Sequence, residues 1–129
     1  MKIDSFETVT LRESGMRCTT EYEIVRKGDD AEVSEYSIRY DGNVDRRVLE
    51  ARAECPLGDA LMILNDCKTG SWDGFHGKHP RGVLDGIMFS FRATVNGGEV
   101  IKADGSQNFP RHYRELTNWF YEILHNGNK

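Results

Sequence analysis

Apolar and polar residues alternate along much of the first 55 positions, and the period of that alternation predicts strands. Cys18, Thr20, Tyr22 and Ile24 share one face of a segment from Arg17 to Lys27, the mark of a half-buried strand. Tyr36, Ile38 and Tyr40 alternate with Ser37 and Arg39 in the next. The opening stretch from Ile3 to Glu13 is less regular, with Phe6, Val9 and Leu11 as its core candidates. Turns fall at Ser14-Gly15-Met16, Gly28-Asp29-Asp30 and Asp41-Gly42-Asn43, residues that tolerate positive φ. A fourth strand over Val44 to Glu54 would turn Leu49, Ala51 and Ala53 inward, although the same segment could begin a helix.

The period then changes. Leu57, Ala60, Leu61, Leu64 and Cys67 recur at three and four, predicting a helix from about Pro56 to Lys68 with one apolar stripe. Pro56 suits a first helical position, and Gly70 a left-handed cap. Alternation returns at Ile87, Phe89, Phe91, Ala93 and Val95, followed by Asn96-Gly97-Gly98 and a strand over Glu99 to Gly105. A three-residue loop pairs Ala93 with Ile101 and Phe91 with Ala103, keeping apolar residues on one face; a two-residue loop would set Phe91 opposite Lys102. A second helix, from about Phe109 or Pro110 to His125, carries Tyr113, Leu116, Phe120 and Ile123, with Trp119 and Leu124 widening the stripe and Gly127 closing it.

The order ββββαββα describes one α+β domain over residues 1–129. We expect an open antiparallel sheet of about five or six strands with two helices packed on one face. The other face, read from Glu21, Glu23, Ser37, Arg39, Arg92 and Thr94, is polar and faces water.

Charge narrows the partners. Residues 1 to 55 carry 13 acids against 9 bases and residues 56 to 129 carry 8 of each, so neither half offers the basic face that nucleic acid or an anionic membrane requires. Cys18, Cys55 and Cys67 are an odd set without a close pair, which points to small buried thiols in a reducing cytoplasm rather than to disulfides or a zinc knuckle. The N-terminus has no apolar signal core and no apolar run reaches membrane-spanning length.

Candidate chemistry concentrates between the first helix and the last hairpin, in Ser71-Trp72-Asp73-Gly74-Phe75-His76-Gly77-Lys78-His79-Pro80-Arg81-Gly82. Trp72 and Phe75 offer stacking or core surface, Asp73 an acceptor, His76 and His79 imidazoles, and Lys78 and Arg81 cationic donors. Long ordered loops are fastened by their own side chains, so the expected arrangement is a buried Trp72 with an exposed, mobile tip from His76 to Arg81. A metal site at the histidines is disfavoured by the neighbouring Lys78 and Arg81, and no zincin signature accompanies them. Gly77-Lys78 fails as a phosphate loop, because Trp72 stands where a glycine is required and His79 replaces Ser or Thr. There is no G-x-S-x-G elbow and no G-x-G-x-x-G turn. In Gly105-Ser106-Gln107-Asn108-Phe109-Pro110, Ser106 or Asn108 is a candidate helix cap, and Phe109 can pack beneath the first turn.

Trp72-Asp73-Gly74-Phe75, Val83-Leu84-Asp85-Gly86, Phe89, Asn96-Gly97-Gly98, Ile101 and Gly105-Ser106 with Phe109-Pro110 and Tyr113 together resemble a group of small uncharacterised bacterial proteins. Its members carry W-D-G-F, L-D-G, an aromatic strand, N-G or D-G and G-S-x-x-F/Y-P in this order. The resemblance covers roughly residues 61 to 120 and implies a shared fold, with no activity, cofactor or catalytic residue attached. With no specific catalytic motif, the expected role is a binding or interaction module centred on Trp72 to Arg81, with the Gly105 to Phe109 loop as a second candidate part of the surface. Its ligand would be a small anionic or carbohydrate-like molecule or a peptide. The alternative is a small hydrolase using His76 or His79 as base, oriented by Asp73 or Asp85.

Overall fold

The computed structural model describes residues 1–15, 18–82 and 86–125. Expectations resting on Met16, Asp85 and Gly127 lie outside the described residues. Seven strands form one sheet: β1 (Phe6–Ser14), β2 (Thr19–Lys27), β3 (Asp30–Asp41), β4 (Val44–Pro56), β5 (His76–Gly77), β6 (Met88–Val95) and β7 (Glu99–Ser106). Their order is β4-β3-β2-β1-β6-β7-β5. Helices α1 (Leu57–Asp66) and α2 (Tyr113–His125) cover one face. The α+β class and the ordering of the longer elements follow the sequence pattern. The sheet is nevertheless mixed and seven-stranded, because β5 pairs in parallel with β7.

Two β-bulges explain irregularities in the pattern. Phe6 pairs with Val95 and Thr8 with Thr94, so Glu7 is the extra residue. Phe6 and Val9 therefore reach the same face despite their spacing of three, and both are fully buried with Leu11. In β4 the register passes from Glu35–Ala51 to Tyr36–Leu49, leaving Glu50 as the extra residue. Ala51 and Ala53 pack on the core as expected, whereas Leu49 is flipped to the open face and is 46% exposed.

The phase of β3 also corrects the reading. Thr20, Tyr22 and Ile24 face the helices, and Ser37, Glu35 and Val33 lie opposite them. Ser37 and Arg39 are thus on the helix side of the sheet, and Tyr36, Ile38 and Tyr40 are on the open face. Ile38 remains buried there, at 5% exposure, and Arg47 lies directly opposite it on β4. Cys55 and Cys67 are buried, while Cys18 is exposed, contrary to expectation; all three are free thiols.

The hairpin forms in the expected register, with Ala93 opposite Ile101 and Phe91 opposite Ala103. Asn96, Gly97 and Gly98 all adopt positive φ in its three-residue loop. Asn96 also holds the chain start. Its carboxamide accepts from the amides of Asp4 and Ser5 and donates to the Lys2 carbonyl, and its own amide donates to the Ser5 carbonyl.

Helix α1 ends earlier than its apolar stripe suggested, and Lys68, not Gly70, takes the left-handed position. Gly70 instead lies where a Cβ would strike the Met1 carbonyl. Helix α2 begins at Tyr113, later than expected, and buries Tyr113, Leu116, Phe120 and Leu124. Phe120 stacks on Tyr22 at 4.8 Å, and His125 Nε2 meets Glu35 Oε1 at 2.8 Å, pinning the second half of the helix to the sheet. Among the described residues no helix is long and apolar enough to cross a membrane.

Candidate functional site

The segment after α1 is anchored before it is functional. Trp72 is 2% exposed, its indole N–H donates to the Arg111 carbonyl at 3.1 Å, and its ring meets Phe91 edge-on. It is a core residue and presents no face to a ligand. Phe75 is half-buried against Phe89. Asp73 is exposed, but its carboxylate accepts the Lys102 amide at 2.9 Å, and Gly74 N donates to the Lys102 carbonyl. Asp104 N donates to the Phe75 carbonyl, after which His76–Gly77 pairs with Asp104–Gly105. The chain thereby satisfies the outer edge of β7, a device that keeps a sheet edge from pairing elsewhere.

That edge contact brings the titratable residues together on the helix-free face. Along β7, Lys102, Asp104 and Ser106 alternate with the buried Ile101, Ala103 and Gly105. His76 Nδ1 bonds Asp104 Oδ1, and His79 Nδ1 bonds Ser106 Oγ at 2.8 Å. The Asn108 carboxamide donates to the Lys78 carbonyl at 3.2 Å. The tip from His76 to Arg81 is largely exposed, as expected, and these bonds fasten it to β7 and the loop beyond. Close approach depends on Gly77 and Gly105: a Cβ at either would collide with the Asn108 carbonyl oxygen.

The result is an open concavity of about 530 Å³ lined by His76, Lys78, His79, Ser90, Asp104 and Ser106, with Met88 and Phe89 as apolar surface. Its size is that of a small-molecule site. Donors, acceptors and an apolar patch converge there, so the arrangement can hold a polar organic ligand. The Asp73 carboxylate is taken by the Lys102 amide, and Asp104 on β7 bonds His76; Asp85 lies outside the described residues. The sequence does not mark Asp104 or Ser106 individually, because the run from Asp104 to Pro110 resembles a helix cap; Ser106 enters only as part of the Gly105 to Phe109 loop. Neither Ser106 nor Asn108 caps α2. The signal that could have found them is the period-two continuation of β7, which places both beside Lys102 on the polar face.

A second concavity, about 430 Å³, lies at the start of α2 between Glu13, Ile87, Phe109, Pro110 and Tyr113. The Tyr113 hydroxyl donates to Glu13 at 2.5 Å. Burial first, and then the Glu13 hydrogen bond and charge, push the Tyr113 phenol far above its ordinary range, so it is a structural donor and not an activated phenolate. Burial, reinforced by Glu115 and Asp66, pushes the Cys67 thiol up to about 11, and Cys55 shifts upward for the same leading reason. Neither is an activated nucleophile. Among the described residues no cluster of three or more His, Cys, Asp or Glu could hold a metal ion. No family model matches the chain, and no curated protein or solved structure matches it, so the geometry of the site carries the functional argument on its own.

Proposed function

We propose that the protein is a non-catalytic binding module whose recognition surface is the concavity along β5 and β7. The observation that carries this reading is the convergence of His76, Lys78, His79, Ser90, Asp104 and Ser106 around one small-molecule-sized depression. The surface is narrower than the whole Trp72 to Arg81 segment, since Trp72 belongs to the core. Lys78 supplies a compact positive charge, the hydroxyls and imidazoles supply directional bonds, and Met88 supplies contact area. These groups suit a small ligand carrying negative charge and hydroxyls better than a peptide, which would seek a groove or an unpaired strand edge.

Solvent argues for binding over turnover at His76. Its side chain is 78% exposed and that of Asp104 is 54% exposed, and charges this wet interact weakly. The hydrolase reading rests instead on the 2.8 Å contact of His79 with Ser106, a base within reach of a hydroxyl nucleophile. Amide-resolved NMR titration with glucose, acetate and inorganic phosphate separates the outcomes. Binding predicts saturable shifts at His76, Lys78, His79, Ser90 and Ser106 that His79→Ala weakens without loss of fold. Millimolar probes that leave all five unmoved would overturn the reading. Hydrolysis of p-nitrophenyl acetate that Ser106→Ala abolishes would replace it with the enzyme.

A further inference from the structure

Beside the concavity, the sheet holds two cations directly opposite one another. The β6–β7 register sets Arg92 directly opposite Lys102. Both point to the helix-free face, because their neighbours Phe91, Ala93, Ile101 and Ala103 are buried beneath the helices. Like charges directly opposite across an antiparallel pair are destabilising, with Cβ atoms only about 4.5–5.5 Å apart. Among the described residues neither Arg92 nor Lys102 has a carboxylate within ion-pair distance, whereas Arg12, Arg47 and Arg52 on the same face all do.

The surroundings complete an anion position. Ser90, Arg92, Lys102 and Asp104 border a shallow depression of about 210 Å³, and Ser90 and Asp104 are shared with the larger concavity. A guanidinium fork, an ammonium and the Ser90 hydroxyl are donors suited to a tetrahedral oxyanion. Asp104 at the rim bonds His76, and the Asp73 carboxylate nearby accepts the Lys102 amide.

We infer that Arg92 and Lys102 bind a phosphate group, and that the ligand of the neighbouring concavity is a phosphate ester whose hydroxylated body lies over Ser106 and His79. This rests on the binding reading above and names its ligand class. Two sources share the chemistry, free phosphate and an ester, and the depression that runs on into the concavity favours the ester. The cost of the like-charged pair is then offset only when the dianion is bound.

The test uses NMR detection of the Arg92 Nε–H and the Ser90 and Lys102 amides, with inorganic phosphate, glucose 6-phosphate and glucose as probes. Glucose 6-phosphate should bind more tightly than either part alone. Lys102→Glu should weaken it by about tenfold or more, equivalent to about 1.4 kcal/mol, while leaving thermal stability equal or higher. His79→Ala should weaken glucose 6-phosphate and spare inorganic phosphate. Arg92 and Lys102 signals unmoved by either phosphate, or a Lys102→Glu variant that binds like wild type, would overturn the phosphate position. If glucose still shifted His79 and Ser106 in that case, the concavity reading would stand alone. Phosphate shifts at Arg92 without any effect of His79→Ala would sustain the phosphate position and remove its link to the concavity.

Discussion

The helix-free face of the sheet handles positive charge differently at its two ends. Over β2 to β4 every arginine that crosses the face is engaged. Glu21 receives Arg12 and Arg47, each at 3.1 Å, Arg47 continues to Glu23, and its guanidinium sits 3.8 Å from the Tyr36 ring centre. Arg52 reaches Glu32, Ser34 and the Tyr36 hydroxyl. Over β6 and β7, Arg92 and Lys102 face each other with no such partners among the described residues. One end uses its cations to cover buried groups such as Ile38 and Ser34, and the other leaves them for something outside the chain. Where a polar network is complete, its members are structural; where a like-charged pair stands alone, the fold gains nothing from it.

The largest expected effect tests what holds the second end in place. Trp72→Ala removes the anchor that delivers His76 and His79 to β7, and should cost about 3–5 kcal/mol in a urea melt. A variant as stable as wild type would mean that the segment docks by its backbone bonds alone. Next comes Glu21→Gln, which keeps shape but leaves Arg12 and Arg47 facing a neutral amide. A loss of about 2 kcal/mol is expected, because the carboxylate is nearly buried and its hydrogen bonds are charge-assisted. A neutral outcome would show the ladder to be as dispensable as an ordinary surface pair.

Alkaline pH separates the ladder from the helix-covered face. Burial, with Glu35 and Glu13 adding, pushes the Tyr22 phenol up to about 12, against about 10 in an unfolded chain. Its contribution is complete below pH ~10 and is lost as pH rises through ~12, since the unfolded phenol then releases its proton first. Thermal melts across that window should slope downward, and Tyr22→Phe should make the slope shallower. An unchanged slope would place the alkaline limit elsewhere. The smallest effect is the most pointed: Lys102→Glu should raise stability by about 0.2–1 kcal/mol by giving Arg92 an opposite charge. A loss of stability would erase the contrast between the two ends.

What the sequence shows follows where local rules decide geometry. Asn96-Gly97-Gly98 set the loop length and with it the register of Phe91 against Ala103. The three-four spacing of Tyr113, Leu116 and Phe120 marked the buried side of α2. Period two revealed strands but not which side met the helices, and in β3 a run of Tyr36, Ile38 and Tyr40 looked like core although it lies on the open face, with Arg47 over Tyr36 and opposite Ile38 and with Tyr40 exposed. Leu49 was misplaced because one extra residue, Glu50, reverses every side chain beyond it. At the site, the histidines were visible as a cluster, while Asp104 and Ser106 come from another element that only the parallel docking of β5 brings alongside.

The position of β1 has a consequence for how the chain is made. Its partners are β2, which follows at once, and β6, which follows only after residues 15 to 87. During synthesis at about 5–20 residues per second, the second edge of β1 stays unpaired for several seconds while the chain lengthens. An unpaired strand carrying Phe6, Val9 and Leu11 invites pairing between nascent chains, and Glu7, Arg12 and Glu13 within it are the charges that resist such pairing. The hairpin that fills this edge also carries Asn96, whose bonds to residues 2 to 5 secure the strand as the loop arrives. The same three-residue loop that sets the register of the last hairpin is therefore the latch that ends the exposed interval of the first strand.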